Sequence, residues 1–238
     1  MHWEQTVKKL NRQMRVLYED NHIIVINKAS GEIVQGDKTG DASLCDILKL
    51  YLKEKYNKPG NVFVGLPHRL DRPVSGVVVF AKTSKALERL NDMFRTGAVK
   101  KIYWAITKEH PQPAVGTLTH WIVRSEKMNK SFAHKKEVKD SKQAILDYRA
   151  LCSSQNYTLV EVELKTGRHH QIRCQLSAIG CPIKGDLKYG AKRSNPDGSI
   201  SLHARRVEFV HPVSKTPLCI EAPVPADRLW QSFEASAE

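Results

Sequence analysis

Several chemistries are absent from this chain because it lacks the residues or local patterns they need. Its five cysteines, Cys45, Cys152, Cys174, Cys181 and Cys219, are odd in number and scattered, with no pair at metal-knuckle spacing. That leaves no zinc knuckle and no disulfide framework, and reduced, mostly buried thiols are the simplest expectation. No glycine-rich phosphate loop of the nucleotide-binding kind and no Gly-x-Ser-x-Gly occurs. No apolar run is long enough to span a bilayer. Met1-His2-Trp3-Glu4-Gln5 opens into a polar, basic segment without the apolar core of a signal peptide. A cytoplasmic protein with no membrane partner is expected. Negative charge is also scarce, with 25 Asp plus Glu against 38 Lys plus Arg and a net charge of +13. That balance favours a polyanionic partner, since neutralising phosphates dominates nucleic-acid affinity. Charge that only aids solubility is the plainer alternative.

What is present suffices for a packed core: 238 residues, 41% of them hydrophobic. Residues 1–14 read as a polar appendage. From Arg15 a hairpin is predicted, Val16-Leu17-Tyr18 returning through Glu19-Asp20-Asn21 into His22-Ile23-Ile24-Val25-Ile26, with its second strand buried on both faces. Asp41 and Ser43 are N-cap candidates for a helix to about Lys55, with Leu44, Ile47, Leu48 and Tyr51 on one face. Ser84 is the predicted cap of a second helix that turns Leu87, Leu90 and Phe94 inward and stops at Gly97. Lys101–Ile106 and Val160–Leu164 read as strands. The segment 124–142 carries seven Lys or Arg against three acids and suits either a solvated hairpin tip or an RNA contact. A short helix is predicted from Arg168 to Ile179, burying Ile172, Leu176 and Ile179 and leaving its other residues for a site. Arg206–Val210 is the last clear strand. Strands outnumber helices, which predicts one α+β domain over residues 15–238, built on an extended mixed, mainly antiparallel sheet flanked by helices.

Two stretches carry chemistry. In His68-Arg69-Leu70-Asp71-Arg72-Pro73-Val74-Ser75-Gly76 one carboxylate sits between arginines, ahead of the apolar run Val77–Ala81. Nearby cations favour its ionised form. An ionised Asp on a strand-held loop could serve as nucleophile or charge stabiliser, although turn formation or a salt bridge is the commoner use. In Thr166-Gly167-Arg168-His169-His170-Gln171-Ile172-Arg173, a glycine turn leads into a helix start rich in donors. Such a terminus suits an anion, Arg168 adds a phosphate fork, and Arg173 could reach a carboxylate such as Asp71. Adjacent histidines on a helix point apart, and no acid or Cys stands beside the pair at histidine-ligand spacing except Cys174, so no metal is expected. No second acid lies near Asp71 in sequence, which weakens a paired-carboxylate hydrolase.

These stretches resemble the two long motifs of RluA-type pseudouridine synthases. The resemblance continues through Leu17-Tyr18-Glu19-Asp20, Asn27-Lys28-x-x-Gly31, Lys101-x-Tyr103-x-Ala105 and Lys142-x-Ala144 with Tyr148. It closes on Gly185-Asp186-x-x-Tyr189-Gly190 and Leu202-His203-Ala204. It thus covers about residues 15–225 in the family's order. The chain departs from the family's usual residues at Ala29, Val74 and Gln175.

The resemblance implies the pseudouridine synthase fold and an isomerase that converts uridine in RNA, ribosomal or transfer, to pseudouridine. It implies Asp71 as nucleophile or base, Arg173 holding Asp71 ionised, and Tyr103 stacking on the target base. Without the family match, Tyr103 reads as an ordinary cross-strand aromatic. Arg69 would fill the space the flipped base vacates, and Arg168, His170 and Gln171 would contact RNA beside the site. No cofactor and no metal are implied, because nothing is oxidised and no group is imported; a monomer is favoured. A non-catalytic RNA-binding protein and a nucleoside or glycosyl hydrolase are the readings from other classes.

Overall fold

The computed structural model describes residues 15–37 and 39–237; the appendage expected over residues 1–14 lies outside them. The chain divides into two compact units. The first holds the described residues up to Val99 together with Val207–Pro223, and the second holds Lys100–Arg206 and the described residues from Val224 onward.

In the first unit, β1 (Val16–Glu19) and β2 (Ile23–Lys28) form the expected antiparallel hairpin. Asp20 makes its turn, with Oδ1 accepting from the backbone N–H of His22 and Ile23 at 2.7 and 2.8 Å. β3 (Ser75–Ala81) lies antiparallel to β2, pairing Ile24 with Phe80 and Ile26 with Val78. Both strands are buried on both faces, which is why their apolar runs do not alternate. α1 (Leu44–Lys55) begins at Ser43, whose Oγ accepts from Asp46 N at 3.3 Å. It buries Leu44, Ile47, Leu48 and Leu52, while Tyr51 is only half-buried. α2 (Ser84–Thr96) is capped by Thr83, not by Ser84: Thr83 is the extended residue, and its Oγ1 accepts from Ala86 N at 3.2 Å. Gly97 ends α2 in the left-handed region, φ 78°. Ile23, Val25, Val77, Val79, Leu90, Val207, Phe209 and Ile220 share one core, each fully buried side chain contributing roughly 1.5–3 kcal/mol.

The second unit carries β4 (Lys100–Thr107), β5 (Val115–Ser125), β6 (Lys130–His134), β7 (Lys142–Ser153) and β8 (Thr158–Leu164) in the spatial order β4-β8-β7-β5-β6. All four of these ladders are antiparallel. The basic segment 124–142 closes the β5–β6 hairpin and links it to β7. α3 (Gln171–Ala178) starts three residues later than predicted, because His170 stands at φ 52°, ψ 28°, which no α-helix interior accommodates. It is also buried all round from Gln171 to Leu176 instead of on one face. β9 (Leu202–Val210) begins before the predicted Arg206 and passes from the second unit into the first. β10 (Pro217–Glu221), which pairs with β9, and α4 (Arg228–Ala237) were not predicted. α4 buries Trp230 and Phe233 against Trp104, Ile106 and Leu159. The α+β class stands. No helix among the described residues is long and apolar enough to cross a membrane.

Candidate active site

Asp71 lies half-buried in the first unit, in a turn closed by Val74 N donating to Asp71 O at 3.0 Å. The loop is fixed from three sides. His68 stacks on Phe94 at 4.4 Å between ring centroids and accepts from Val79 N through Nε2 at 2.9 Å. Arg72 pairs with Asp41 at 2.8 Å, and Ser30 Oγ donates to Pro73 O at 3.2 Å. The third support is Lys28, 0% exposed, whose ammonium donates to Val74 O at 2.6 Å and to Arg72 O and Ala29 O at 3.0 Å each. Three carbonyls match the three N–H groups of an ammonium. Burial pushes the Lys28 ammonium down to about 8, opposed by the carboxylates of Glu32 and Asp71. Lys28 is therefore a buried cation packed under the Asp71 turn, and Arg69 beside it is exposed.

In the second unit Tyr103 is half-buried on β4, paired across the ladder with Val162. Arg173 is buried at 5% exposure and forks onto Asp186, Nε to Oδ2 at 2.7 Å and Nη2 to Oδ1 at 2.9 Å. Its guanidinium also lies 5.0 Å over the Tyr189 ring. The Tyr189 hydroxyl accepts from Ser131 N at 2.7 Å and lies 2.9 Å from His170 Nδ1. Burial pushes the Tyr189 phenol up to about 12, so the hydroxyl keeps its proton and can give it to His170. Rings of His169 and His170 stack at 3.8 Å instead of pointing apart, because neither residue lies inside α3.

Gln171 is buried at 3% exposure and bonded at both ends of its amide within the protein. Its Oε1 accepts from Thr166 Oγ1 at 2.8 Å and Arg168 N at 2.9 Å, and its Nε2 donates to Ile145 O at 3.1 Å. It shapes the 166–171 turn. Arg168 is exposed, with Nε donating to Gln143 O at 2.9 Å. Lys28, Asp186 and Tyr189 carry no role that the sequence alone assigns. All three stand within quoted motif stretches, so position was their only signal.

The family described as RNA pseudouridylate synthase matches residues 22–178, well over half of the chain. This chain belongs to that family. It is 34% identical over 221 residues to "Uncharacterized RNA pseudouridine synthase YhcT" of Bacillus subtilis, covering 90% of this chain and 70% of that protein. It is 35% identical over 212 residues to "Ribosomal large subunit pseudouridine synthase C" of Rickettsia prowazekii, covering 88% and 68%. Among solved structures, "Human RNA Pseudouridylate Synthase Domain Containing 4" superposes with a TM-score of 0.78 at 27% identity, covering 99% of this chain and 97% of that one. The RluA-type resemblance read from the motifs holds, and this RNA pseudouridine synthase is an isomerase.

Proposed function

We propose that this synthase isomerises specific uridines in structured ribosomal or transfer RNA, with Asp71 starting the reaction. The bond from ribose carbon 1 to ring nitrogen 1 breaks, the uracil turns in place, and ring carbon 5 bonds to the sugar. Carbon 5 then loses its proton to solvent and nitrogen 1 takes one up, so the composition of the RNA is unchanged. Uracil leaves as a delocalised anion, and one carboxylate suffices because no water has to be activated. Tyr103 stacks on the base, Arg173 holds Asp71, and Arg69 fills the space left by the flipped nucleotide. Arg168 and His170 contact RNA beside it, while Gln171 keeps their turn in shape. Residues 15–238 act as the catalytic domain, a cytoplasmic monomer without metal or cofactor.

The observation that carries this reading is the Asp71 turn seated on buried Lys28 in a chain of this family. A carboxylate so tightly positioned suits attack or proton abstraction at one fixed point. The test uses RNA tritiated at uracil carbon 5. The wild type is expected to release tritium to water with the base still attached, and Asp71→Asn to release none while binding RNA. Turnover by Asp71→Asn would refute the assignment. Free uracil would indicate a hydrolase, and RNA binding without release by the wild type a binding protein.

A further inference from the structure

A second site lies wholly within the second unit. A cleft of about 430 Å³ opens between Lys108, Tyr157, Lys184, Lys192, Arg193 and Asn195, a volume within the roughly 300–1,000 Å³ of small-ligand sites. Four cations line it against one carboxylate, Glu109. Lys108, Lys192 and Arg193 are exposed, and none forms an ion pair with a described residue. Lys184 is different, because it is built in. Its ammonium donates to Asn195 Oδ1 at 2.5 Å, and Asn195, only 8% exposed, is itself fixed by donating to Ser199 Oγ at 3.1 Å and Ser201 Oγ at 3.2 Å. Gly185 makes room for this anchor: a Cβ there would stand 2.7 Å from Ser199 O and 2.8 Å from Asn195 Cγ, at φ +88°. One of three ammonium donors is used by Asn195, and the Lys184 head sits 5.9 Å over the half-buried Tyr157 ring.

A fixed cation, a flanking ring and a rim of unpaired cations are the parts a single-stranded nucleic acid needs: phosphate contacts and a face for one base. We propose that this cleft binds one phosphate and the adjoining base of a single-stranded segment of the substrate RNA, apart from the target uridine. The inference rests on the reading of RNA as substrate. Gly185 and Gly190 line the cleft and bracket the segment carrying Asp186 and Tyr189, so a nucleotide seated there presses on the loop that holds Arg173.

The test measures binding of a fluorescein-labelled single-stranded RNA between 50 and 200 mM salt. The exposed pair Lys192→Glu/Arg193→Glu is expected to weaken binding at least tenfold at the lower salt. It should also flatten the salt slope by about 0.7, the share of the one phosphate contact. Tyr157→Leu, which keeps apolar bulk, should lose roughly tenfold, and Tyr157→Phe should stay within twofold. RNA carrying 4-thiouridine should crosslink to the peptide spanning residues 182–195. Unchanged affinity and slope in the double variant, or crosslinks only elsewhere, would overturn the proposal. Uridine 5′-monophosphate binding as tightly as the RNA, and lost in the double variant, would also overturn it by assigning the cleft to a free nucleotide. Tritium release by the wild type separates the two failures. If release persists while the double variant binds RNA normally, only the cleft assignment falls; if the wild type neither binds RNA nor releases tritium, the substrate reading falls first.

Discussion

Replacing Lys28 by Met should separate stability from activity in a way that follows from its surroundings. The substitution removes donors from three carbonyls, but their losses differ. Val74 O sits in a buried bond and is left unmet, at about 1–3 kcal/mol. Arg72 O keeps its bond from Gly31 N at 2.8 Å, and the bond to Ala29 O is only part-buried, so together they add about 1 kcal/mol. Against this, burial holds the wild-type ammonium down at about 8 from an ordinary 10.5, a cost of about 3 kcal/mol below pH 8 that Met does not carry. The two sides nearly cancel, as they often do when an apolar group replaces a buried charge. Lys28→Met should therefore unfold in urea within about 1 kcal/mol of the wild type at pH 7.

Activity should not be spared. With the Asp71 turn no longer seated, kcat for tritium release should fall about a hundredfold, the scale of a 1 Å misplacement, with RNA affinity kept. The pH dependence is a further check. Between about 8 and 10.5 the native state binds fewer protons at Lys28 than the unfolded chain, so wild-type stability rises with pH relative to the variant. The rise is capped at about 3 kcal/mol, the whole of the difference between the two pKa values. A kcat within threefold of wild type would refute the role of Lys28 in seating Asp71. A flat difference from pH 8 to 10.5 would refute the burial argument.

Burial pushes the Glu19 carboxyl up, but hydrogen bonds from Lys55, Lys82 and Tyr56 outweigh it and hold the group at about 2. Glu19→Gln should thus cost on the order of 2 kcal/mol at pH 6, allowing for screening at the exposed Lys55, and urea titrations should show the gap closing as pH falls from about 4.5 toward 2. Tyr189→Phe strips the acceptor from buried Ser131 N, so thermal unfolding should fall by roughly 3–10 °C; no shift would mean that water or another group satisfies Ser131. Asp186→Asn removes the charge from the Arg173 fork and should lower kcat about tenfold or more with RNA affinity unchanged, whereas a pure affinity loss would place Arg173 outside the chemistry.

The strands legible from sequence were those whose apolar runs admit only one reading. Ile23–Ile26 and Val77–Ala81 are β-branched or aromatic, bounded by turn residues, and buried throughout. Adjacent candidates defeated the capping of α2, since Thr83 and Ser84 are equally good caps by type and only the backbone angles choose. The start of α3 was misplaced for the opposite reason: nothing in His169-His170 announces a left-handed residue, which His adopts without a glycine's advertisement. α4 has only Trp230 and Phe233 to declare its inner face, too little for periodicity. Asp71, Tyr103 and Arg173 stand out as candidates in the sequence through motif order. The partner of Arg173 does not, because a fork between residues 13 apart depends on how a helix and a following turn meet. Lys28 is not legible as a support of the Asp71 turn, because lysine is almost never fully buried and nothing local in the sequence marks this one as 0% exposed.

The path of the backbone sets a schedule for the newly made protein. Ile23, Val25, Val77 and Val79 leave the ribosome early, but their core partners Val207, Phe209 and Ile220 belong to a stretch that emerges more than a hundred residues after Val99. At roughly 5–20 residues per second, that half-built apolar layer waits on the order of ten seconds for its closing pieces. During the wait a chaperone able to cover the part of β2 and β3 that α2 leaves open has its opportunity, and a stop codon anywhere in the interval leaves that layer without Val207, Phe209 and Ile220.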